Sequence, residues 1–256
     1  MPLLVLDPGH GGRDPGAIGR NVTEKEVNLR VCLLLRDALM RCRMRVLMTR
    51  ESDTERVPGV STAVDLKARA MLANTNAADL FVSWHYDASS NRDVQGVAVW
   101  IHPSQQDKPA YHKADLIAQG IAASSGQKNR GVYYGDYQVL RDTFMDAVLI
   151  EGGFVTSFAE ESQLTQEAFL RAQAEGAAKA ICQMFGMPYV QPAKEQETVA
   201  WMATDSVQVR VNGDVMEQYG RLIDGKTYVP VRELAERLGL ALQWDGSTHT
   251  VTLNAG

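Results

Sequence analysis

The sequence predicts an α/β fold: a mixed, mostly parallel open sheet of about six strands with helices on both faces, followed by a small α+β C-terminal domain. Short apolar runs alternate with helical patterns as far as Met187. Three of those runs, at 3–6, 80–82 and 147–150, lead at once into ligand-capable side chains, and the carboxyl ends of strands are where open α/β sheets build their sites. After Met187 the periodicity stops, and a shorter, strand-rich stretch follows.

Residues 3–6 form a fully apolar run ended by Asp-Pro-Gly, which reads as a buried strand. A glycine-rich loop runs to Asn21, and Thr23 and Glu26 then stand in capping-box spacing at the start of a helix. Val27, Val31, Leu34, Leu35 and Ala38 repeat at helical spacing and give that helix one buried face. Residues 45–49 are the second strand, 65–73 a helix, 78–84 the third strand and 97–101 the fourth. Residues 111–124 read as a helix closed by Gly126, and 138–140 and 147–150 as two further strands. Thr165 is expected to cap a last helix, which carries Leu170, Ala174, Ala177, Ile181 and Phe185 and ends at Gly186.

The expected domains are 1–187, a linker at 188–201, and a unit at 202–256. The linker has two prolines, several charges and no periodicity. In the last unit residues 207–211 alternate as a strand, Asn212-Gly213 is a hairpin turn signal, 232–238 is a helix stopped by Gly239, and 248–253 is a closing strand. At roughly 50 residues this unit is near the lower limit for a single core.

With 45% apolar and 22% charged residues the chain is ordinarily globular, and a net charge of −5 argues against nucleic acid as a partner. No apolar run approaches the roughly 20 residues of a transmembrane helix, and Met1-Pro2 leads directly into the first strand, so no signal peptide is expected. Cys32, Cys42 and Cys182 lack paired spacing and read as buried free thiols.

His10, between Pro8-Gly9 and Gly11, and His85, at the end of an apolar run, project from the same edge of the sheet and point to a metal site. A catalytic zinc takes three protein ligands, and spacing leaves the third open between Glu24 and Glu26. Glu26 has the capping box to serve; Glu24 is free to point outward, or to act only as a carboxylate at a helix N-terminus. Glu151 follows a buried strand and must face a partner or a cleft. It is either salt-bridged to Arg141 or Arg50, or a general base for a metal-activated water. Asp7 either forms the turn before Pro8 or orients a ligand histidine. His102, His112 and His249 read as surface residues.

These fragments resemble the zinc-dependent N-acetylmuramoyl-L-alanine amidases of bacteria and their phages, the type 3 group. The resemblance runs from about Leu3 to Met187 through Asp7-Pro8-Gly9-His10-Gly11-Gly12, Asp14-Pro15-Gly16-Ala17, Glu24-Lys25, Thr49-Arg50, Ser83-Trp84-His85, Asn129-Arg130-Gly131 and Glu151-Gly152-Gly153-Phe154. It implies Zn2+ on His10, Glu24 and His85, with Glu151 as the catalytic carboxylate, and so favours Glu24 over Glu26. The chain departs from the family pattern at Asp87, Ser157 and Asp146, none of them a ligand, which bears on substrate preference. The last unit resembles the N-terminal domain of bacterial copper amine oxidases, through Val211-Asn212-Gly213, Tyr228-Val229-Pro230-Val231-Arg232 and Trp244-Asp245. His249 is its one histidine and it has no cysteine, so no copper is expected there.

The activity implied is hydrolysis of the amide between N-acetylmuramic acid and L-alanine of the peptidoglycan stem. Two other readings are a zinc carboxypeptidase cutting within the stem peptide, and an inactive scaffold that binds peptidoglycan. The place of action expected is the cell wall, for a phage endolysin or for a secreted autolysin trimmed of its leader; substrate-binding residues and the partner of the C-terminal unit stay unassigned.

Overall fold

A computed structural model describes residues 1–105, 109–192 and, within 206–255, all but 208, 212–213, 216–219, 224–225, 230 and 246–249. The chain divides into two compact units, Met1–Val190 and Gln191–Gly256.

The first unit is built on a six-stranded sheet in the order β2-β1-β3-β6-β4-β5. Its strands are β1 (Leu3–Pro8), β2 (Arg45–Met48), β3 (Leu80–Asp87), β4 (Val97–Ile101), β5 (Asn129–Tyr134) and β6 (Ala147–Phe154). Every neighbouring pair is parallel except β4 with β6. Alternation along the strands divides the core into two layers. Leu4, Leu6, Val82, Trp84, Val148 and Ile150 face α1 (Glu24–Arg41), α3 (Pro109–Ser125) and α6 (Glu167–Met184). Leu3, Val5, Phe81 and Leu149 face α2 (Thr62–Thr75) and the single turn α4 (Gln138–Arg141).

Glu26 closes on Thr23, whose amide and hydroxyl both donate to Oε2 at 3.3 and 2.6 Å. At the other end of the chain pattern, Gly186 takes φ +62°, the left-handed geometry that ends α6. All three cysteines are free and buried. Among the described residues no helix is long and apolar enough to cross a membrane.

Two expectations are corrected and one strand was unforeseen. Residues 138–140 are not a strand but α4, where Arg141 and Asp142 donate to the carbonyls of Tyr137 and Gln138 at 3.0 and 2.9 Å. Two buried apolar residues, Val139 and Leu140, are too short a run to reveal their period. The missing sixth strand is β5, an edge strand of mostly polar and aromatic residues that lacks a continuous apolar run. Thr165 does not cap α6: Gln166 holds the N-cap position, with no side-chain capping bond, and the Thr165 hydroxyl turns back to Ser162 at the end of α5 (Glu161–Leu164).

In the second unit, β7 (Ser206–Val207), β10 (Gly220–Ile223) and β11 (Lys226–Tyr228) form one sheet. The pairs β8 (Arg210–Val211) with β9 (Asp214–Val215) and β12 (Leu240–Asp245) with β13 (Thr250–Ala255) are antiparallel hairpins, and α7 spans Val231–Arg237. The turn expected at Asn212-Gly213, His249 and residues 193–201 of the expected linker lie outside the described residues.

Candidate metal centre

Parallel pairing sets the centre. β1, β3 and β6 end side by side, with Asp7 against Ser83 and His85 against Glu151 in register. His10 sits just past β1 at φ +60°, a left-handed angle that costs an ordinary residue of the order of 1 kcal/mol and so needs support. That support comes from side chains that grip the backbone of Pro8, Gly9 and His10. Arg69 donates to the carbonyls of Pro8 and His10 at 2.9 Å each. Arg50 donates to those of Pro8 and Gly9 at 3.0 and 2.9 Å, and Asn28 to Gly9 at 3.1 Å. Gly9 has no room for a side chain: a Cβ there would lie 2.2 Å from Cε1 of His85.

Glu24, the first residue of α1, is buried and aims its carboxylate between the two imidazoles. Its Oε1 stands 3.0 Å from His10 Nε2 and 2.9 Å from His85 Nδ1, and Oε2 accepts from the Ala17 amide at 2.8 Å. Burial opposes the charge, but the hydrogen bonds from both histidines overrule it and hold the carboxyl far below the usual range. Glu26, the other candidate, is occupied at Thr23.

The three candidate atoms all lie within 4.8 Å of one another. A tetrahedral zinc with bonds of about 2.0–2.1 Å spaces its ligand atoms about 3.3 Å apart, so a two-histidine, one-carboxylate set of this size fits such an ion. The second nitrogen of His10 is fixed as well, since Nδ1 lies 2.7 Å from Asp14 Oδ2. Burial would depress the His10 pKa, yet hydrogen bonds to Glu24 and Asp14 leave it raised.

Glu151 stands beside His85 on β6. Neither arginine weighed against it is its partner: Arg50 serves backbone carbonyls, and Arg141 pairs with Asp136 at 2.7 Å. Its Oε2 is buried with no hydrogen-bond partner among the described residues. Burial, then the nearby carboxylates of Asp87 and Glu24, push its pKa well up, and Arg130 offsets only part of this. A cavity of about 460 Å3 opens over this group and the two histidines.

Asp7 takes neither role exactly as expected from sequence. It is buried, accepts from Thr49 and Ser83 hydroxyls at 2.6 and 2.8 Å, and pairs with Arg69 at 3.0 Å. Burial opposes its ionisation, but the Arg69 charge and these hydrogen bonds keep its pKa lowered. The histidine-orienting contact belongs to Asp14 instead. His112 is exposed, whereas His102 is half-buried and contacts Ser104 and Asp136.

The polar brace behind β6 had no sequence signal. The Gly152 carbonyl accepts from Gln127 at 2.9 Å and also from Gln173, whose Oε1 takes the Tyr86 hydroxyl at 2.6 Å. Buried Glu160 accepts from Gln127 and from the amides of Gly96 and Phe154 at 2.6, 3.0 and 2.8 Å. These bonds fix the backbone on both sides of Gly153, directly after Glu151.

A family described as N-acetylmuramoyl-L-alanine amidase matches residues 4–183. The chain belongs to that family. Residues 191–256 of this amidase match a second family, described as the copper amine oxidase N-terminal domain. The amidase is 31% identical over 189 residues to the N-acetylmuramoyl-L-alanine amidase CwlM of Bacillus licheniformis, covering 73% of this chain and 70% of that protein. It is 33% identical over 192 residues to an endolysin of Bacillus phage SPP1, covering 72% of this chain and 66% of that one. Among solved structures, an N-acetylmuramoyl-L-alanine amidase from Clostridium difficile 630 superposes with a TM-score of 0.66 at 31% identity, covering 72% of this chain and 97% of that chain.

Proposed function

We propose that this amidase is a zinc enzyme that hydrolyses the amide between N-acetylmuramic acid and L-alanine in the peptidoglycan of the cell wall, with His10, Glu24 and His85 holding the metal and Glu151 moving the proton. The observation that carries the reading is the convergence of three ligand atoms within 4.8 Å beside a buried carboxylate oxygen that has no hydrogen-bond partner among the described residues.

Zinc, when bound there, supplies Lewis-acid polarisation of the scissile carbonyl and acidifies a water. Glu24 is held as a carboxylate and Asp14 fixes the ring of His10, which would have only to give up the Nε2 proton it shares with Glu24 to serve as a ligand. Glu151, next to His85, takes the proton of the attacking water at its free oxygen. It then returns that proton to the alanine nitrogen as the amide breaks. The brace of Gln127, Gln173 and Glu160 holds the strand on which this carboxylate sits.

Metal analysis of the purified protein tests the assignment. One zinc per chain is expected, lost in His10→Ala, Glu24→Ala and His85→Ala and kept in Glu151→Gln. Zinc retained at full occupancy after removal of any of the three would refute the ligand set.

A further inference from the structure

A second recess adjoins the catalytic cavity along the chain. Ala17, Asp87 and Ala88 line the main cavity, and residues that follow them, Ile18 to Arg20 with Ser89, Ser90 and Arg92, line a recess of about 260 Å3 with Thr156. The same two loops therefore contribute walls to both spaces.

The charges in the recess are unequal in their commitments. Arg92 is held: its Nε donates to the Thr156 carbonyl at 2.9 Å, Nη2 to Glu161 at 3.1 Å, and its guanidinium lies 4.2 Å from the centre of the Phe158 ring. Glu161 is spent on Arg92 and on the backbone amides of Arg20 and Asn21. The Arg20 side chain is exposed and has no hydrogen bond or ion pair among the described residues. An arginine with uncommitted donors, beside the hydroxyl-bearing Ser89, Ser90 and Thr156, suits a carboxylate carried on a polar chain. The one arginine lining the main cavity, Arg69, is already committed to Asp7 and Asp65, so Arg20 is the arginine of these two spaces with donors to spare.

We infer that the recess between residues 17–20 and 88–92 is the subsite for the stem-peptide arm of the substrate, and that Arg20 recognises a free carboxylate on the residue that follows the alanine. This rests on the amidase reading above and adds the direction in which the substrate lies: peptide across the Arg20 recess, glycan on the other side of the metal centre.

The test compares two soluble muropeptides that differ only in the second stem residue, one with a free α-carboxylate and one with that carboxylate amidated. The wild-type enzyme is expected to prefer the acid form. Arg20→Gln should cut the ratio of kcat/KM for acid over amide about fivefold, the size of one partly exposed ion pair, and the change should appear in KM. Arg20→Lys should keep most of the preference. A ratio unchanged in Arg20→Gln, or an equal loss on both substrates as expected if the recess held glycan, would overturn the proposal. Failure of the wild-type enzyme to release alanine-terminated peptide from either substrate would instead overturn the amidase reading itself.

Discussion

Replacing Arg69 by Met should reveal how much the fold invests in holding His10. Arg69 and Asp7 are both nearly inaccessible, at 3% and 1% of their exposed area, and pair at 3.0 Å. The change removes that pair, the bond to Asp65, and the grip on two carbonyls, while methionine refills much of the volume. It leaves the Asp7 carboxylate buried with only the Thr49 and Ser83 hydroxyls. Breaking one side of a buried pair costs about 3–5 kcal/mol, which for a unit of this size lowers Tm by roughly 6–20 °C. The pH dependence has a definite sign. Asp7 has a lowered pKa in the native state, so its contribution is present above the unfolded value near 3.8 and is lost as pH falls through the native one. The gap between wild type and Arg69→Met should therefore be full at pH 7 and narrow below about pH 4. Adding Asp7→Asn should recover part of the loss at pH 7, because the orphaned charge is gone. Thermal unfolding at several pH values measures all of this. A loss under about 1 kcal/mol, or one independent of both pH and Asp7→Asn, would show that the pair does not act as described.

Glu151→Gln should lower turnover on peptidoglycan by about 10²–10⁴-fold with zinc still bound, since it removes only the proton-transfer group; a variant with more than a tenth of wild-type activity would refute its role. Asp14→Ala should weaken zinc affinity about 10–100-fold by releasing the second nitrogen of His10, as read by competition with a chelator, and unchanged affinity would exclude the orienting contact. A protein ending at Val190 should fold and cleave soluble muropeptides, because the described site lies within the first unit. One ending at Met187 should be less stable, since it loses the Tyr189 hydroxyl bond to Glu175 and the Arg41 bond to the Val190 carbonyl; equal melting curves would contradict that.

What the sequence revealed depends on whether a signal was local. His10 and Glu151 stand between unusual neighbours, prolines or glycines against apolar strands, so their positions at strand ends could be read directly. Glu26 could be set apart because its capping partner is three residues away. Asp14 was in view as a motif, but its contact with His10 depends on the loop path, and an orienting role was weighed for Asp7 alone, as one of two alternatives. Arg69, Gln127 and Gln173 carried no signal: each sits in an ordinary stretch and acts across a long separation, 62 residues between Arg69 and Asp7. β5 was missed for a related reason, because an edge strand with a solvated face need not be apolar.

Mass spectrometry of purified peptidoglycan, digested by the zinc-loaded enzyme with and without a chelator, tests the central claim most directly. Free, intact stem peptides with a new alanine amino terminus, absent under chelation and restored by zinc, are the predicted products. Shortened peptides still attached to sugar, or cleavage indifferent to the chelator, would contradict it.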